Sequence, residues 1–142
     1  MKKDESLAYL WDYFDRHSSQ RLQMFNYYIL VNIAVLTGVG ICLKESMNLL
    51  ILPSILLLFL NNIFKKIDER TVFMIKQVEK IIKNYELKNI EIPYQIFNIE
   101  ENNFKNKENG AISYSKIFSE VYNVMDFTAI VFICIGVWNI LV

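Results

Sequence analysis

The sequence predicts an all-α membrane protein: a transmembrane hairpin, a third transmembrane helix at the C-terminal end, and a helical cytoplasmic stem between them. Three observations carry this. Residues 25–43 and 47–64 hold no charged side chain and are separated only by Lys44, Glu45 and Ser46. Each segment has the roughly 18 to 19 residues that a helix needs to cross a hydrocarbon layer about 30 Å thick. After Asp126 no further charge occurs up to Val142. Helix is the only spanning form open to one isolated segment, because lipid offers no partner to bare backbone N–H and C=O groups.

Composition fits apolar spans alternating with polar stretches. Hydrophobic residues make up 54% of the chain and charged residues 21%, and the mean hydropathy is +0.24. With 15 basic and 15 acidic residues the formal net charge is zero, so bulk charge supplies no footprint for nucleic acid and direct nucleic-acid binding is not expected. Cys42 and Cys134 both lie in apolar segments, where packing is the expected role rather than a disulfide or a metal site. No small-residue cleavage site follows the amphipathic N-terminal stretch, so it does not read as a cleavable signal.

The chain divides into 1–24 (amphipathic helix), 25–64 (transmembrane hairpin), 65–88 (stem helix), 89–111 (linker and loop) and 112–142 (amphipathic helix continuing into the last span). In the first part Leu7, Leu10, Trp11, Phe14, Leu22 and Phe25 recur at helical spacing, with Asp12, Asp15, Arg16, Ser19 and Gln20 on the other faces. This helix either docks on a membrane surface or packs on a neighbouring helix, with Trp11, Phe14, His17 and Arg21 as its docking residues. No Gly or Pro separates it from the first span, so the two are expected to run on as one helix.

The first span opens with Phe25, Asn26, Tyr27 and Tyr28, an interfacial aromatic belt. Inside it, Asn32 is costly beside lipid and is expected to face another helix or water. Gly38 and Gly40 are two apart and do not form the four-residue spacing of a close-packed helix pair. In the second span Pro53 predicts a kink near residues 49–53, Ser54 follows it, and Asn61 and Asn62 mark the exit. Lys2, Lys3, Arg16 and Arg21 precede the first span and Lys65, Lys66 and Arg70 follow the second, against Lys44 alone in the loop. That bias puts the N terminus and the central region in the cytoplasm and the Glu45 loop outside.

From Ile67 the positions Ile67, Thr71, Met74, Val78, Ile81 and Tyr85 alternate by four and three, a short coiled-coil-like seam. Met74, Val78 and Ile81 are its expected association surface, packed on another subunit or on the chain's own N-terminal helix. Pro93, Gly110 and the polar run between them break the helical pattern. The apolar residues Ile90 to Ile99 are expected to lie along the stem, and 102–110 to form a mobile loop. Helix resumes after Ser113 with Ile117, Val121 and Val124 on one side. Residues 127–142 are short for a span at 1.5 Å per residue, so Val124, Met125 and local bilayer thinning are needed to complete it. Asn32, Ser54, Thr128 and Asn139 are the expected helix-interface or pore-lining polar residues.

Catalytic chemistry is not legible. His17 has no cysteine or second histidine near it, no phosphate-cradling glycine loop occurs, and the serines beside His17 lack an identifiable orienting group. No enzyme activity, cofactor or metal is therefore expected. None of the three spans carries a central Asp, Glu, Lys or Arg, which weakens ion-coupled transport.

Two stretches resemble a known group. The run LWDYFDRHSSQRLQMFNYYIL, with Trp11, Phe14, His17, Gln20, Arg21, Phe25 and Asn26, is similar to the start of small bacterial membrane effectors of anti-phage modules, particularly those beside retron reverse transcriptases. IPYQIFNIEE and SYSKIF, followed by a final apolar helix, resemble that group's second half. The resemblance implies a toxic effector of abortive infection in the bacterial inner membrane. Its partners would be the lipid bilayer, further copies of itself and a reverse transcriptase–noncoding RNA sensor complex. The residues alone leave a second reading open, a non-enzymatic membrane-anchored adaptor or scaffold for a cytoplasmic partner.

Overall fold

A computed structural model describes residues 3–91, 94–106 and 113–141. The elements are α1 (Lys3–Glu45), a 3₁₀ turn (Met47–Leu50), α2 (Ile51–Asn89), α3 (Ile96–Asn106) and α4 (Tyr114–Leu141). There is no strand among the described residues. α1, α2 and α4 are each long and apolar enough to cross a membrane, and the protein is an all-α membrane protein.

The contacts divide into two compact units. The first holds Met1–Leu22 and Glu69–Ile117, and the second holds Gln23–Asp68 and Phe118–Val142. The second unit is the apolar one. α1 ends where the Ser46 N–H donates to the Cys42 carbonyl at 2.9 Å, after which Ser46 turns to extended backbone (φ −161°, ψ 94°). The chain re-enters helix through the 3₁₀ turn, whose Leu49 N–H donates to the Ser46 carbonyl at 3.0 Å. The kink expected from Pro53 is replaced by a helix start. Pro53 is the third residue of α2, in the first turn, where its missing N–H has no intrahelical acceptor to lose. Farther along, Gly136 of α4 admits α2 closely: a Cβ there would meet Ile51 Cγ1 at 2.7 Å.

The first unit is built on α2 beyond the apolar segment. Val78, Ile82 and Phe97 form its core, with Leu10, Tyr13 and Phe14 of α1 packed against them. The seam's neighbour is thus the chain's own N-terminal helix together with α3. The inward stripe passes through Thr71, Val78, Ile82 and Glu86, so after Val78 it turns one residue away from the strict heptad and leaves Ile81 on the outer side. That drift is what a straight helix of 3.6 residues per turn imposes on a 3.5-residue repeat.

α3 occupies 96–106, so residues 102–106 are helical where their composition predicts loop; 107–112 lie outside the described residues. Tertiary capping explains the difference. The buried Glu86 carboxylate accepts the Phe97 N–H at 3.1 Å, placing an acidic group on the N-terminal end of α3. Reciprocally, Gln95 Nε2 donates to the Ile90 carbonyl at 2.8 Å just past the end of α2. Phe97 then enters the core, and composition alone carries neither signal. α4 starts with a local cap, Ser113 Oγ accepting the Ser115 N–H at 3.2 Å.

Candidate functional site

Three aromatic residues begin the site. Tyr28 of α1 and Phe118 and Tyr122 of α4 form a buried cluster, with Phe25, Ile29, Phe64, Val121 and Met125 against it. Phe25 and Phe118 stack at 3.7 Å between ring centroids with planes 2° apart, and Tyr28 meets Tyr122 edge-on at 4.8 Å. The opposite partial charges of ring face and ring edge make the Tyr28–Tyr122 pair directional, and with the Phe25–Phe118 stack it fixes the rotation of α1 against α4.

That rotation brings the Tyr28 hydroxyl to Asn61 of α2, where it donates to Oδ1 at 2.6 Å. Asn61 Nδ2 in turn donates to the Tyr122 carbonyl at 3.0 Å and to Asp126 Oδ1 at 2.6 Å. One carboxamide with 0% exposure thereby joins α1, α2 and α4 with both donors and its acceptor in use. In an apolar setting this clasp has large consequences. Each bond is worth about 1 kcal/mol, or ~1.5–3 kcal/mol to a charged partner, and an abandoned buried group costs about 1–3 kcal/mol. In sequence Tyr28, Asn61 and Asp126 read only as belt, exit and last charge. Their common depth is the signal that was available: Tyr28 lies near the start of the first span, Asn61 near the end of the second, and Asp126 near the start of the third.

The polar residues singled out from sequence lie elsewhere and share no hydrogen bond with one another. Asn32, 1% exposed, donates through Nδ2 to the Tyr28 carbonyl at 2.7 Å, while its buried Oδ1 has no partner. Ser54 is fully buried and donates to the Leu50 carbonyl at 2.8 Å. Thr128 Oγ1 returns to the Val124 carbonyl at 2.8 Å. Asn139, exposed, donates to Asn48 Oδ1 at 2.7 Å, joining α4 to the 3₁₀ turn. Asn32 and Ser54 therefore face into the protomer.

In the first unit the docking residues are likewise engaged. Phe14 packs edge-on against Phe97 at 5.4 Å, and Trp11 lies 5.5 Å from the same ring. His17 stacks on Tyr13 at 4.0 Å, with its Nδ1 2.9 Å from the Tyr13 carbonyl. Arg21 borders a groove of about 880 Å³ together with Phe14, Lys76, Glu79 and Glu100. Lys83 pairs with Glu101 on that groove. The Glu79 carboxyl is held above its ordinary range, first by burial and then by the negative charge of Glu100, against the pull of Lys76. Met74 is half-buried and Ile81 half-exposed, whereas Val78 belongs to the core. Among the described residues no group of His, Cys, Asp and Glu could hold a metal ion.

A match to the octameric membrane protein family (8xMP) runs over residues 4–141, nearly the whole chain and all three apolar helices. The chain belongs to the octameric membrane protein family. As a member of that family it is also similar to CD-NTase-associated protein 19 of Escherichia coli, with 29% identity over 129 residues, covering 86% of this chain and 84% of the relative. No solved structure matches. The family match spans both the apolar unit and the charged unit of this chain.

Proposed function

We propose that this 8xMP protein is a toxic membrane effector of bacterial anti-phage defence, which assembles from copies of itself in the inner membrane and disrupts that membrane once its sensor is perturbed. Membership of a family described as octameric supports the assembly. The similarity to a CD-NTase-associated protein supports a defence setting. A CD-NTase module is then one source of the trigger, and the reverse transcriptase–RNA sensor implied by the sequence resemblance is another.

The observation that carries the mechanism is the Asn61 clasp. A single side chain holds all three apolar helices at one buried point. With the clasp closed, Tyr28, Asn61 and Asp126 satisfy one another away from lipid. Opening it leaves these groups unpaired at the interfacial end of the apolar spans, so the open protomer gains by turning them toward water or toward a neighbouring copy. A trigger need only favour the open arrangement by a few kcal/mol to shift the population.

Regulated expression with a membrane-potential dye tests this. Wild-type protein is expected to depolarise cells only with its defence module triggered, and Asn61→Leu to depolarise them without it. If triggered wild-type cells keep their potential through growth arrest, the effector reading fails. A second reading, a membrane-anchored adaptor, draws on the large groove of the charged unit. It is favoured if the expressed protein is harmless and co-purifies with a defence-module component.

A further inference from the structure

We propose that two apolar patches of the charged unit, one on α2 around Phe73 and Ile81 and one on α3 around Ile96 and Ile99, are the two halves of a contact between copies of this chain. The proposal rests on the oligomer reading above and says which surfaces make it. Phe73 is 62% exposed, Ile81 50%, Ile96 64% and Ile99 40%. Lipid is not their cover. This part of α2 carries Glu69, Arg70, Lys76, Glu79, Lys80 and Lys83 within fifteen residues, a charge density that hydrocarbon does not admit. In water, apolar side chains gathered on one face mark an interaction site.

The geometry of each helix separates these residues from the core. On α2, Phe73 points about 180° away from Ile82, nine residues on at ~100° per residue, and Ile82 is the most buried residue of that core. On α3, Phe97 turns inward, while Ile96 and Ile99, three apart, share the outer side. The two patches also differ in charge. Exposed Arg70, Lys80 and Lys88, against the one carboxylate of exposed Glu69, accompany Phe73 and Ile81, so the α2 patch is net basic, whereas exposed Glu91 and Glu100 flank the α3 patch. A patch meeting its own kind would set basic against basic or acidic against acidic. Opposite patches bring basic against acidic.

A contact between two different patches is heterologous. Repeated around an axis it closes a ring, in which every protomer uses both halves. The α2 patch also keeps Ile81 of the sequence-derived association surface and replaces the buried Val78 with Phe73.

The test uses the full-length chain with Cys42→Ser and Cys134→Ser, carrying Phe73→Cys or Ile99→Cys, in membranes treated with a short bismaleimide. Both substitutions are at exposed positions, so native mass spectrometry should find the same oligomer as wild type. Co-expressed Phe73→Cys and Ile99→Cys chains should give a covalent dimer that neither gives alone, and the double variant should give a ladder reaching the native oligomer. An intact oligomer with no 73–99 crosslink overturns the proposal alone, as does a Phe73→Cys chain that crosslinks efficiently to itself. A wild-type protein of monomeric mass overturns the oligomer reading and the proposal with it.

Discussion

Asn32 and Asn61 are both asparagines buried in the apolar unit, yet they have opposite energetics. Asn61 uses every donor and its acceptor, whereas Asn32 leaves Oδ1 without a partner. An orphaned buried acceptor costs about 1–3 kcal/mol. The one bond Asn32 does make goes to a backbone carbonyl within its own helix, so losing it strands nothing. Asn32→Leu is therefore expected to leave membrane fractionation intact and to raise the thermal stability of the detergent-purified protein, by about 1 kcal/mol or more. A drop in melting temperature would mean that Oδ1 is satisfied by an internal water. Under the effector reading, a more stable resting protomer should also depolarise cells more slowly. Glu79 in the charged unit gives a pH-dependent counterpart. Its carboxyl is raised, so the folded state binds the proton more tightly than the unfolded chain does. Its contribution favours folding in acid and is lost as pH rises through the raised value. Glu79→Gln should thus raise the melting temperature at neutral pH and flatten the decline that sets in above the ordinary carboxylate range. An unchanged pH profile would place the raised proton affinity elsewhere.

At the scale of elements, the glycines separate by what stands opposite them. A Cβ on Gly136 would sit 2.7 Å from Ile51 Cγ1, while one on Gly38 or Gly40 meets nothing within 4 Å. Gly136→Ala forces α4 and the start of α2 apart or drives Ile51 off its rotamer, an overpacking cost of about 1–3 kcal/mol. Gly40→Ala should be neutral or slightly stabilising within the protomer through helix propensity, worth up to about 1 kcal/mol. Thermal unfolding of the two variants side by side checks this, and equal effects would remove the close approach. α3 teaches a related lesson. Its polar composition argues for loop, and it is helical because Glu86 caps it from α2 while Gln95 ties its start to the Ile90 carbonyl. A cap supplied by a residue 11 positions away cannot be read from the local window on which turn signals depend.

For the whole molecule, three spans and the Lys/Arg bias predict one arrangement: N terminus inside, Ser46 outside, Asn106 inside. In a chain lacking Cys42 and Cys134, an impermeant maleimide applied to spheroplasts should label Ser46→Cys and spare Asn106→Cys until the membrane is broken. Labelling of Asn106→Cys in intact spheroplasts would invert the topology and place the charged unit outside. It would leave the clasp geometry unaffected, because that depends only on contacts within the apolar unit.

The sequence by itself determined that the protein is helical and membrane-spanning, where the hairpin turns, and that α1 runs unbroken from its amphipathic part into its apolar part. These are local properties: run length, absence of charge and the spacing of apolar side chains act within one segment, and lipid then enforces helix. Tertiary structure alone decided which polar groups meet. Asn61 reaches partners 33, 61 and 65 residues away, and their meeting depends on the axial register and rotation of three helices. Apolar packing sets those two quantities through stacked and edge-on rings, and neither is encoded in any single stretch. For the same reason the sequence leaves Asn32 and Ser54 as helix-interface or pore-lining residues alike, and only the packed protomer shows both of them buried within it.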